Sequence, residues 1–244
     1  MESSSDTFGK DDPAGAKLQE SRVVTEEEWL QKWETNNIGF HNEQGHPLLK
    51  KYMDIFLDGR SGLKIFFPLC GKTIEMKWLA DMGHQVVGVE ISESALKDFF
   101  TEQKLSFSEE AIPGIPGKLL KSTTGNISLY CCSIFDFTSA ITGKFDAIWD
   151  RGSLVAVNPC DRERYSQLIL SLMDSRCHCL LATCLYDPSK HKGPPFYVPD
   201  SEVKQLFGKS CDITCLEKVD GLAERPKKWG LDYFWEVLYM LVLK

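Results

Sequence analysis

The sequence predicts an α/β fold in which helices cover both faces of a doubly wound, mostly parallel sheet. Short apolar runs alternate with amphipathic helical stretches from about residue 63 to residue 186, which is the pattern of successive βαβ units. The length of 244 residues and the 43% hydrophobic content suit one domain with a sizeable core. Two further apolar runs close the chain without a full helix between them, so we expect them to pair antiparallel at a sheet edge.

The N-terminal part of the chain predicts a tail followed by two helices. Residues 1–22 are rich in Ser, Asp, Gly and Lys, a composition typical of a disordered segment. Thr25 and Glu28 form the capping-box pattern that begins a helix. Residues 46–57 carry apolar side chains at helical spacing and are followed by Gly59, so they predict one amphipathic helix.

The remaining elements follow from the spacing of apolar residues and of turn residues. Strands are predicted over residues 63–68, 85–90, 127–132, 145–150, 177–186, 211–218 and 232–243. Helices are predicted over residues 74–82, 94–103, 158–173 and 200–207. Residues 105–125 contain two prolines and three glycines, and they predict a long irregular loop.

Composition limits the classes of partner. The formal net charge is −7 and no long run of Lys or Arg occurs, whereas nucleic-acid binders present a basic face to phosphates. We therefore expect a small-molecule partner and no nucleic acid. Apolar runs are also shorter than the roughly 18 residues of a membrane-spanning helix, so we expect no membrane insertion.

Cysteine usage favours free thiols. Nine cysteines cannot all pair within one chain, no CxxC spacing occurs, and the N-terminus lacks the apolar stretch of a secretory signal. Free thiols indicate a reducing compartment, and we expect the cytoplasm. Cys177, His178 and Cys179 suggest a metal site, but adjacent side chains of a strand point to opposite faces. Buried thiols and no metal are therefore the favoured interpretation.

The first two predicted strands indicate a nucleoside site. The turn after the first strand contains one glycine, Gly71, instead of the three of a dinucleotide fingerprint, which disfavours a nicotinamide dehydrogenase. Glu90 ends the second strand about 20 residues later, where a carboxylate accepts hydrogen bonds from ribose hydroxyls. The alternative is an exposed glutamate at the end of a strand.

The next strand ends supply further candidates. Ile91 follows the second strand and is placed to lie against a base. Ser133 and Ile134 follow the third strand, beside Glu90 by topology, and are placed to contact the edge and face of a base. Asp136 either binds an amino group or forms a turn. Arg151 follows the fourth strand and either binds a carboxylate or anionic substrate, or forms a salt bridge within its loop.

Several segments together resemble the thiopurine S-methyltransferase family. They are FFPLCGK, QVVGVEIS, SLYCCSIFD, KFDAIWDRG and GPPFYVP, with WLQKW and GFHNEQGHPLLKKY nearer the N-terminus. The resemblance runs from about Thr25 to Lys244. It implies a single class I, Rossmann-like methyltransferase domain over residues 23–244, with a seven-stranded sheet, one strand antiparallel, and N-terminal helices over residues 25–58 covering the cofactor site.

The resemblance also implies an activity and a site. The activity is methyl transfer from S-adenosylmethionine to aromatic and heterocyclic thiols, including thiopurines, by a monomer that releases S-adenosyl-L-homocysteine. The implied cofactor-binding residues are Trp29, Trp33, Phe40, Leu69, Gly71, Glu90, Ile91, Ser133, Ile134 and Arg151. The implied substrate-binding residues are Phe40, Pro195, Phe196 and Arg225, and the implied catalytic residues are Arg151 and Arg225.

The residues by themselves also allow other roles. Helical spacing by itself favours Trp29 and Trp33 as core aromatics. Phe196 could serve as a packing anchor, and Arg225 as a solvated side chain. Other functions on the same fold are methylation of small inorganic or selenium anions, and adenosyl-cofactor binding without catalysis.

Overall fold

The computed structural model describes residue 19 and residues 21–244. The predicted disordered tail, residues 1–22, therefore falls mostly outside the described residues. Gln19 lies within that range and is buried. Its side-chain amide donates to the Tyr186 hydroxyl and the His191 carbonyl, each at 2.8 Å, and accepts from Tyr197 N at 3.0 Å.

Within the described part of the chain, nine strands form one sheet, with helices packed on its two faces. The strands are β1 (Lys64–Phe67), β2 (Gln85–Glu90), β3 (Phe107–Ala111), β4 (Lys118–Ser122), β5 (Ile127–Cys131), β6 (Phe145–Arg151), β7 (Met173–Leu185), β8 (Cys211–Asp220) and β9 (Trp235–Leu243). The helices are α1 (Glu26–Glu34), α2 (Pro47–Lys51), α3 (Met53–Leu57), α4 (Glu75–Asp81), α5 (Glu93–Glu102), α6 (Ser139–Thr142), α7 (Arg162–Leu172), α8 (Asp200–Phe207) and α9 (Glu224–Lys228). Short 3₁₀ turns span Ile134–Asp136 and Pro159–Asp161.

The topology confirms the doubly wound prediction. The strand order is β3-β4-β5-β2-β1-β6-β7-β9-β8. The five strands β5, β2, β1, β6 and β7 are mutually parallel, and β9 runs antiparallel to β7 and β8. The carboxyl ends of the parallel strands and the beginning of β9 therefore meet at one edge of the sheet.

The sheet has two strands more than the seven expected. They form the hairpin β3–β4, which pairs antiparallel with β5, so the prediction of an irregular loop over residues 105–125 is wrong. Phe107 stacks on Phe100 of α5 at 4.6 Å, and Leu120 is completely buried. The prolines and glycines over residues 113–117 make only the connection between the two strands, because the residues around them bury apolar side chains.

Two apolar clusters, one on each face of the sheet, form the core. On one face Phe66 stacks on Phe145 and Phe137, with ring centroids 4.7 and 5.4 Å apart. On the other face Phe67 packs with residues of α4 and α5, including Leu79 and Phe99. Adjacent residues of β1 thus serve opposite faces, as the alternation of side chains along a strand requires.

The N-terminal helices agree with the predictions in part. The capping box is confirmed: Thr25 Oγ1 accepts from Glu28 N at 3.2 Å, and Glu28 Oε2 accepts from Thr25 N at 2.9 Å. The single helix predicted over residues 46–57 is interrupted at Tyr52, which separates α2 from α3. The Tyr52 hydroxyl donates to the Leu216 carbonyl of β8 at 3.1 Å, so a tertiary contact fixes the residue at the break.

The cysteines are unpaired, and six of the nine are buried. Cys177 and Cys179 are buried on one face of the sheet, whereas the Nδ1 atom of His178 lies 2.9 Å from the Ile55 carbonyl. Among residues 19 and 21–244, no group of three His, Cys, Asp or Glu side chains is arranged to hold a metal ion. The same residues contain no helix both long enough and apolar enough to span a membrane.

Candidate active site

A cavity of about 440 Å³ lies at the carboxyl edge of the central strands. Three parts of the chain line it: the segment over residues 24–42, the ends of the strands β1, β2, β5, β6 and β7, and the loops before β9. This is the edge at which open α/β sheets bind ligands.

The turn between β1 and α4 forms one wall of the cavity. Gly71 has φ +51°, and a Cβ added there would lie 2.9 Å from the Trp33 ring. Leu69, with φ +43°, also has left-handed backbone, which is uncommon for a residue with a side chain. The Cys70 amide donates to the Val89 carbonyl at 2.9 Å and ties the turn to β2. The backbone at Gly71 is thus held against the cavity with no room for a side chain.

Glu90 lies at the base of this turn. Its carboxylate is buried, accepts from Gly71 N at 2.9 Å and Ser92 N at 3.0 Å, and lines the cavity. Burial raises the pKa of this carboxyl, and the backbone N–H groups of Ser92 and Gly71 act against that rise. A carboxylate accepts up to about four hydrogen bonds, and backbone N–H groups of Ser92, Gly71 and Ile91 act on Glu90, so it retains capacity for a ligand hydroxyl.

The residues after β2 and β5 lie beside Glu90. Ile91, Ser133 and Ile134 all line the cavity. The Ser133 hydroxyl donates to Glu26 Oε1 of α1 at 2.7 Å, so it also holds the N-terminal helix. Asp136 does not line the cavity. It belongs to the 3₁₀ turn, where its amide donates to the Ser133 carbonyl, and this favours the turn role.

Three aromatic rings from the N-terminal segment cover the cavity. The Phe40 ring meets the Trp29 and Trp33 rings edge to face, with centroids 5.8 and 5.3 Å apart. No residue of α1 is fully buried, and all three rings line the cavity. The two tryptophans are therefore cavity walls and not part of the main core.

Two arginines also line the cavity. Arg151 Nη1 donates to the Phe40 carbonyl at 2.9 Å, which holds the N-terminal segment over the sheet. The Arg225 guanidinium lies over the Trp229 ring, 5.2 Å from its centroid. Burial and the charge of Arg151 lower the pKa of Arg225. An anion bound between these like charges would relieve their repulsion.

Sequence reasoning missed a carboxylate near these arginines. Glu236, the second residue of β9, lines the cavity, and its oxygens lie 3.4 and 3.5 Å from His46 Nε2. A usable signal existed, because an antiparallel last strand brings its first residues to the edge where the parallel strands end.

The loop over residues 187–199 divides between cavity and core. Pro195 lines the cavity as expected, but Phe196 does not, so the predicted substrate contact of Phe196 is wrong. Its side chain is completely buried, and its amide donates to the Val155 carbonyl at 2.7 Å. A Cβ on Gly193 would lie 2.4 Å from the Phe196 ring. The loop folds back over Phe196, which makes that ring a packing anchor.

Asp150, next to Arg151, holds the loop that follows β6 through two hydrogen bonds. Its carboxylate accepts from Leu154 N at 3.0 Å and from the Tyr165 hydroxyl at 2.7 Å. Burial raises the pKa of Asp150 to about 6, although these two donors act against the rise. The expected alternative of a salt bridge within this loop does not form, since Asp150 faces the core and Arg151 faces the cavity.

Two solved structures with the same architecture contain S-adenosylhomocysteine. A Burkholderia thailandensis N1-methyltransferase, solved with 1,6-didemethyltoxoflavin and S-adenosylhomocysteine, superposes with a TM-score of 0.57 at 13% identity, covering 91% of this chain and 92% of that one. A Thiobacillus denitrificans SAM-dependent methyltransferase in complex with S-adenosylhomocysteine gives 0.57 at 11% identity, covering 91% and 100%. At such low identity these likenesses show the fold.

Sequence comparison is more specific. The family model for thiopurine S-methyltransferase matches residues 24–244. The thiopurine S-methyltransferase of Rattus norvegicus is 61% identical over 94% of this chain and 96% of the rat protein. That of Oryctolagus cuniculus is 61% identical over 93% of this chain and 94% of its own length. With the Gly71 turn, Glu90 and the paired arginines at one cavity, these matches show that the chain belongs to the thiopurine S-methyltransferase family.

Proposed function

We propose that this protein transfers a methyl group from S-adenosylmethionine to the sulfur of aromatic and heterocyclic thiols, including thiopurines. The observation that carries the proposal is a single cavity that joins the Glu90 and Gly71 wall to the region of Arg151 and Arg225. The family relatives, at about 60% identity over nearly the whole chain, bear the same activity in their names.

The residues present fit S-adenosylmethionine. Glu90 offers acceptors to the ribose hydroxyls, and Gly71 lets the ligand approach the backbone closely. Ile91 and Ile134 line the cavity beside Glu90 and would flank the adenine, and the rings of α1 would cover it. When bound, S-adenosylmethionine supplies an electrophilic methyl group on a sulfonium centre.

The acceptor half of the cavity favours an anionic sulfur. Arg151 and Arg225 place two positive charges there, and opposite charge stabilises a thiolate relative to its thiol. Aromatic thiols ionise near neutral pH, so the protein needs no dedicated nucleophile-activating triad. Pro195, Trp229 and Phe234 line the cavity and would form apolar walls for the flat ring of the acceptor.

Rate comes mainly from alignment. Holding two reactants in line supplies up to about 7–11 kcal/mol of the barrier reduction. The Arg151 contact with the Phe40 carbonyl fixes the cover of the cavity relative to the sheet. We infer that Arg151 thereby both favours the anion and keeps water out, while Arg225 acts on the acceptor alone.

The direct test is calorimetric titration with S-adenosylhomocysteine, followed by labelled-methyl transfer to benzenethiol, a thiopurine and iodide. We expect cofactor binding and transfer to both sulfur acceptors. The Arg151→Ala/Arg225→Ala double variant should lower kcat/KM for thiols about tenfold or more, because two charge-assisted contacts are lost, and should still bind S-adenosylhomocysteine.

An Arg176→Ala/Lys228→Ala variant removes the same charge from exposed positions and serves as the control. Unchanged turnover in the cavity double variant defeats the role given to the arginines. Preference for iodide, or binding without any methyl acceptor, defeats the proposed substrate class.

The proposal extends to the oligomeric state, the compartment and the partners of the protein. We infer a monomer acting in the cytoplasm on small-molecule thiols, without nucleic-acid or membrane partners. Free thiols at all nine cysteines support a reducing compartment.

A further inference from the structure

Glu236 has no role in the activity proposed above, yet it faces the acceptor half of the cavity. It begins β9, the strand that runs antiparallel to the central strands, and its cross-strand neighbour Cys184 also lines the cavity. Two strand spacings, about 10 Å, separate β9 from the strand of Arg151, and four, about 19 Å, separate it from that of Glu90. Glu236 is therefore about twice as far from the strand of Glu90 as from that of Arg151, whose charge acts on it.

Contacts from the N-terminal segment keep this carboxylate ionised. His46 Nδ1 accepts from Leu48 N at 3.3 Å, so the ring proton is on Nε2, which donates to Glu236. Burial acts to raise the pKa of Glu236, but the hydrogen bond from His46 and the positive charge of Arg151 outweigh it and lower that pKa. The side chain is 29% exposed, so an ionised acceptor is open to the cavity.

The acceptor class contains a group that matches such a carboxylate. Many heterocyclic thiols exist as thiones, with a proton on the ring nitrogen next to the C=S carbon. Methylation at sulfur removes that proton. Plain aromatic thiols have no such N–H. A carboxylate two strands from Arg151 is placed for the N–H while the arginines attract the sulfur, which would orient the ring in the cavity.

We propose that Glu236 accepts a hydrogen bond from the ring N–H of heterocyclic thiones and so selects them over aromatic thiols that lack a ring nitrogen. This inference rests on the proposed methyl transfer. In that reaction the sulfur–methyl bond of the product forms as the sulfonium–methyl bond breaks, and its electron pair stays on the departing thioether. The N–H bond breaks, its pair completes the aromatic ring, and the proton passes through Glu236 to solvent.

The test uses two acceptors of nearly the same shape, pyridine-2-thione, which carries the N–H, and benzenethiol, which does not. In Glu236→Gln the amide oxygen still accepts from His46, so the structural contact is kept while the charge is lost. We expect kcat/KM for pyridine-2-thione to fall about tenfold or more, and that for benzenethiol to change less than about threefold.

Binding provides a readout independent of turnover. In the presence of S-adenosylhomocysteine, the affinity of Glu236→Gln for pyridine-2-thione should fall about tenfold or more, and its affinity for S-adenosylhomocysteine should stay the same. Glu217→Gln, on the outer strand β8 and paired with Lys51, is the matched control and should behave as the wild type. Glu236→Asp, which keeps the charge, provides a second variant and should retain part of the preference.

The outcomes separate the two proposals. Equal losses for both acceptors, or no loss for either, overturn the role of Glu236 while leaving the methyltransferase activity in place. Failure of the wild type to methylate either acceptor overturns the proposed function itself. Should Glu236→Gln not fold, a Glu236→Ala variant with the wild-type ratio of the two acceptors also overturns the inference.

Discussion

Single residues in this protein acquire their properties mainly through burial. Asp150 and Arg151 are neighbours in sequence, but Asp150 is enclosed between Leu154 and Tyr165, whereas Arg151 faces the cavity. Removal from water disfavours a carboxylate, so the pKa of Asp150 rises to about 6. A residue that never touches the ligand therefore makes the loop under Arg151 sensitive to pH.

This predicts a pH-dependent stability. The pKa of Asp150 is higher in the folded than in the unfolded chain, so its contribution is fully present below about pH 4 and is lost as the pH rises through about 6. A difference of about two units corresponds to about 3 kcal/mol in the free energy of unfolding. Urea denaturation between pH 4.5 and 7.5 should show that Asp150→Asn lacks this loss and is more stable than the wild type near pH 7.

Tyr165→Phe supplies the complementary variant. Without the hydroxyl that donates to Asp150, the ionised carboxylate is less well solvated, so the midpoint of the loss should move to higher pH. Parallel stability profiles for the wild type and Asp150→Asn across this range would rule out the proposed titration.

The N-terminal segment is held in place by tertiary contacts. We call residues 21–46 the strap. It is fastened by Asn158 at Val24, by Ser133 at Glu26, by Arg151 at the Phe40 carbonyl and by Glu75 at the His46 amide. The fastening residues belong to four different parts of the fold, and short helices such as α1 gain little stability by themselves. The cover of the cavity is therefore held by side chains of the sheet and its loops.

Asn158→Ala should loosen the start of the strap. The Asn158 side chain accepts from Val24 N at 2.8 Å and donates to Val24 O at 3.1 Å, and Val24 is buried. Leaving buried backbone groups without partners costs about 1–3 kcal/mol each. Hydrogen exchange over residues 21–30 should become faster, with a smaller change in β5.

Asn126→Ala is the matched control, because Asn126 donates to the Ala80 carbonyl far from the strap. It should affect exchange near α4 and β5 and leave residues 21–30 unchanged. Equal exchange of the strap in Asn158→Ala and the wild type would contradict the fastening role of Asn158.

At the scale of the whole molecule, the cavity lies between two parts of the protein: the sheet with its two apolar clusters, and the strap. A ligand that contacts both Glu90 of the sheet and Trp33 of the strap links these two parts. Because such a ligand binds only when both are folded, its binding stabilises the ordered strap on the sheet. The β3–β4 hairpin lies at the end of the sheet beside β5 and away from this junction.

S-adenosylhomocysteine should therefore protect the strap more than the rest of the fold. At 100 times its dissociation constant it should add about 2.7 kcal/mol to the free energy of unfolding. Limited proteolysis and hydrogen exchange should show slower cleavage and exchange over residues 21–46, with little change in the β3–β4 hairpin. Equal protease resistance of the strap with and without ligand would count against this coupling.

Local signals explain how much of the fold was predictable. The strand over residues 85–90, the capping box at Thr25 and the helix over residues 200–207 were each specified by patterns within a few residues. The β3–β4 hairpin was missed because its Pro and Gly content suggested a loop, while its pairing with β5 depends on residues outside the segment. The break at Tyr52 likewise depends on β8.

By itself, then, the sequence determined the order of the elements and the cofactor side of the site, because Gly71 and Glu90 lie on consecutive βα units whose spacing the chain imposes. Only the tertiary structure decided the acceptor side. There Glu236 meets His46 from 190 residues away, and Phe196 turns into the core while Pro195 stays at the cavity. The partners of Glu236 and Phe196 depend on which strands are neighbours in the sheet and on which face of the loop has space for a side chain. Neither property is encoded in a short stretch of residues.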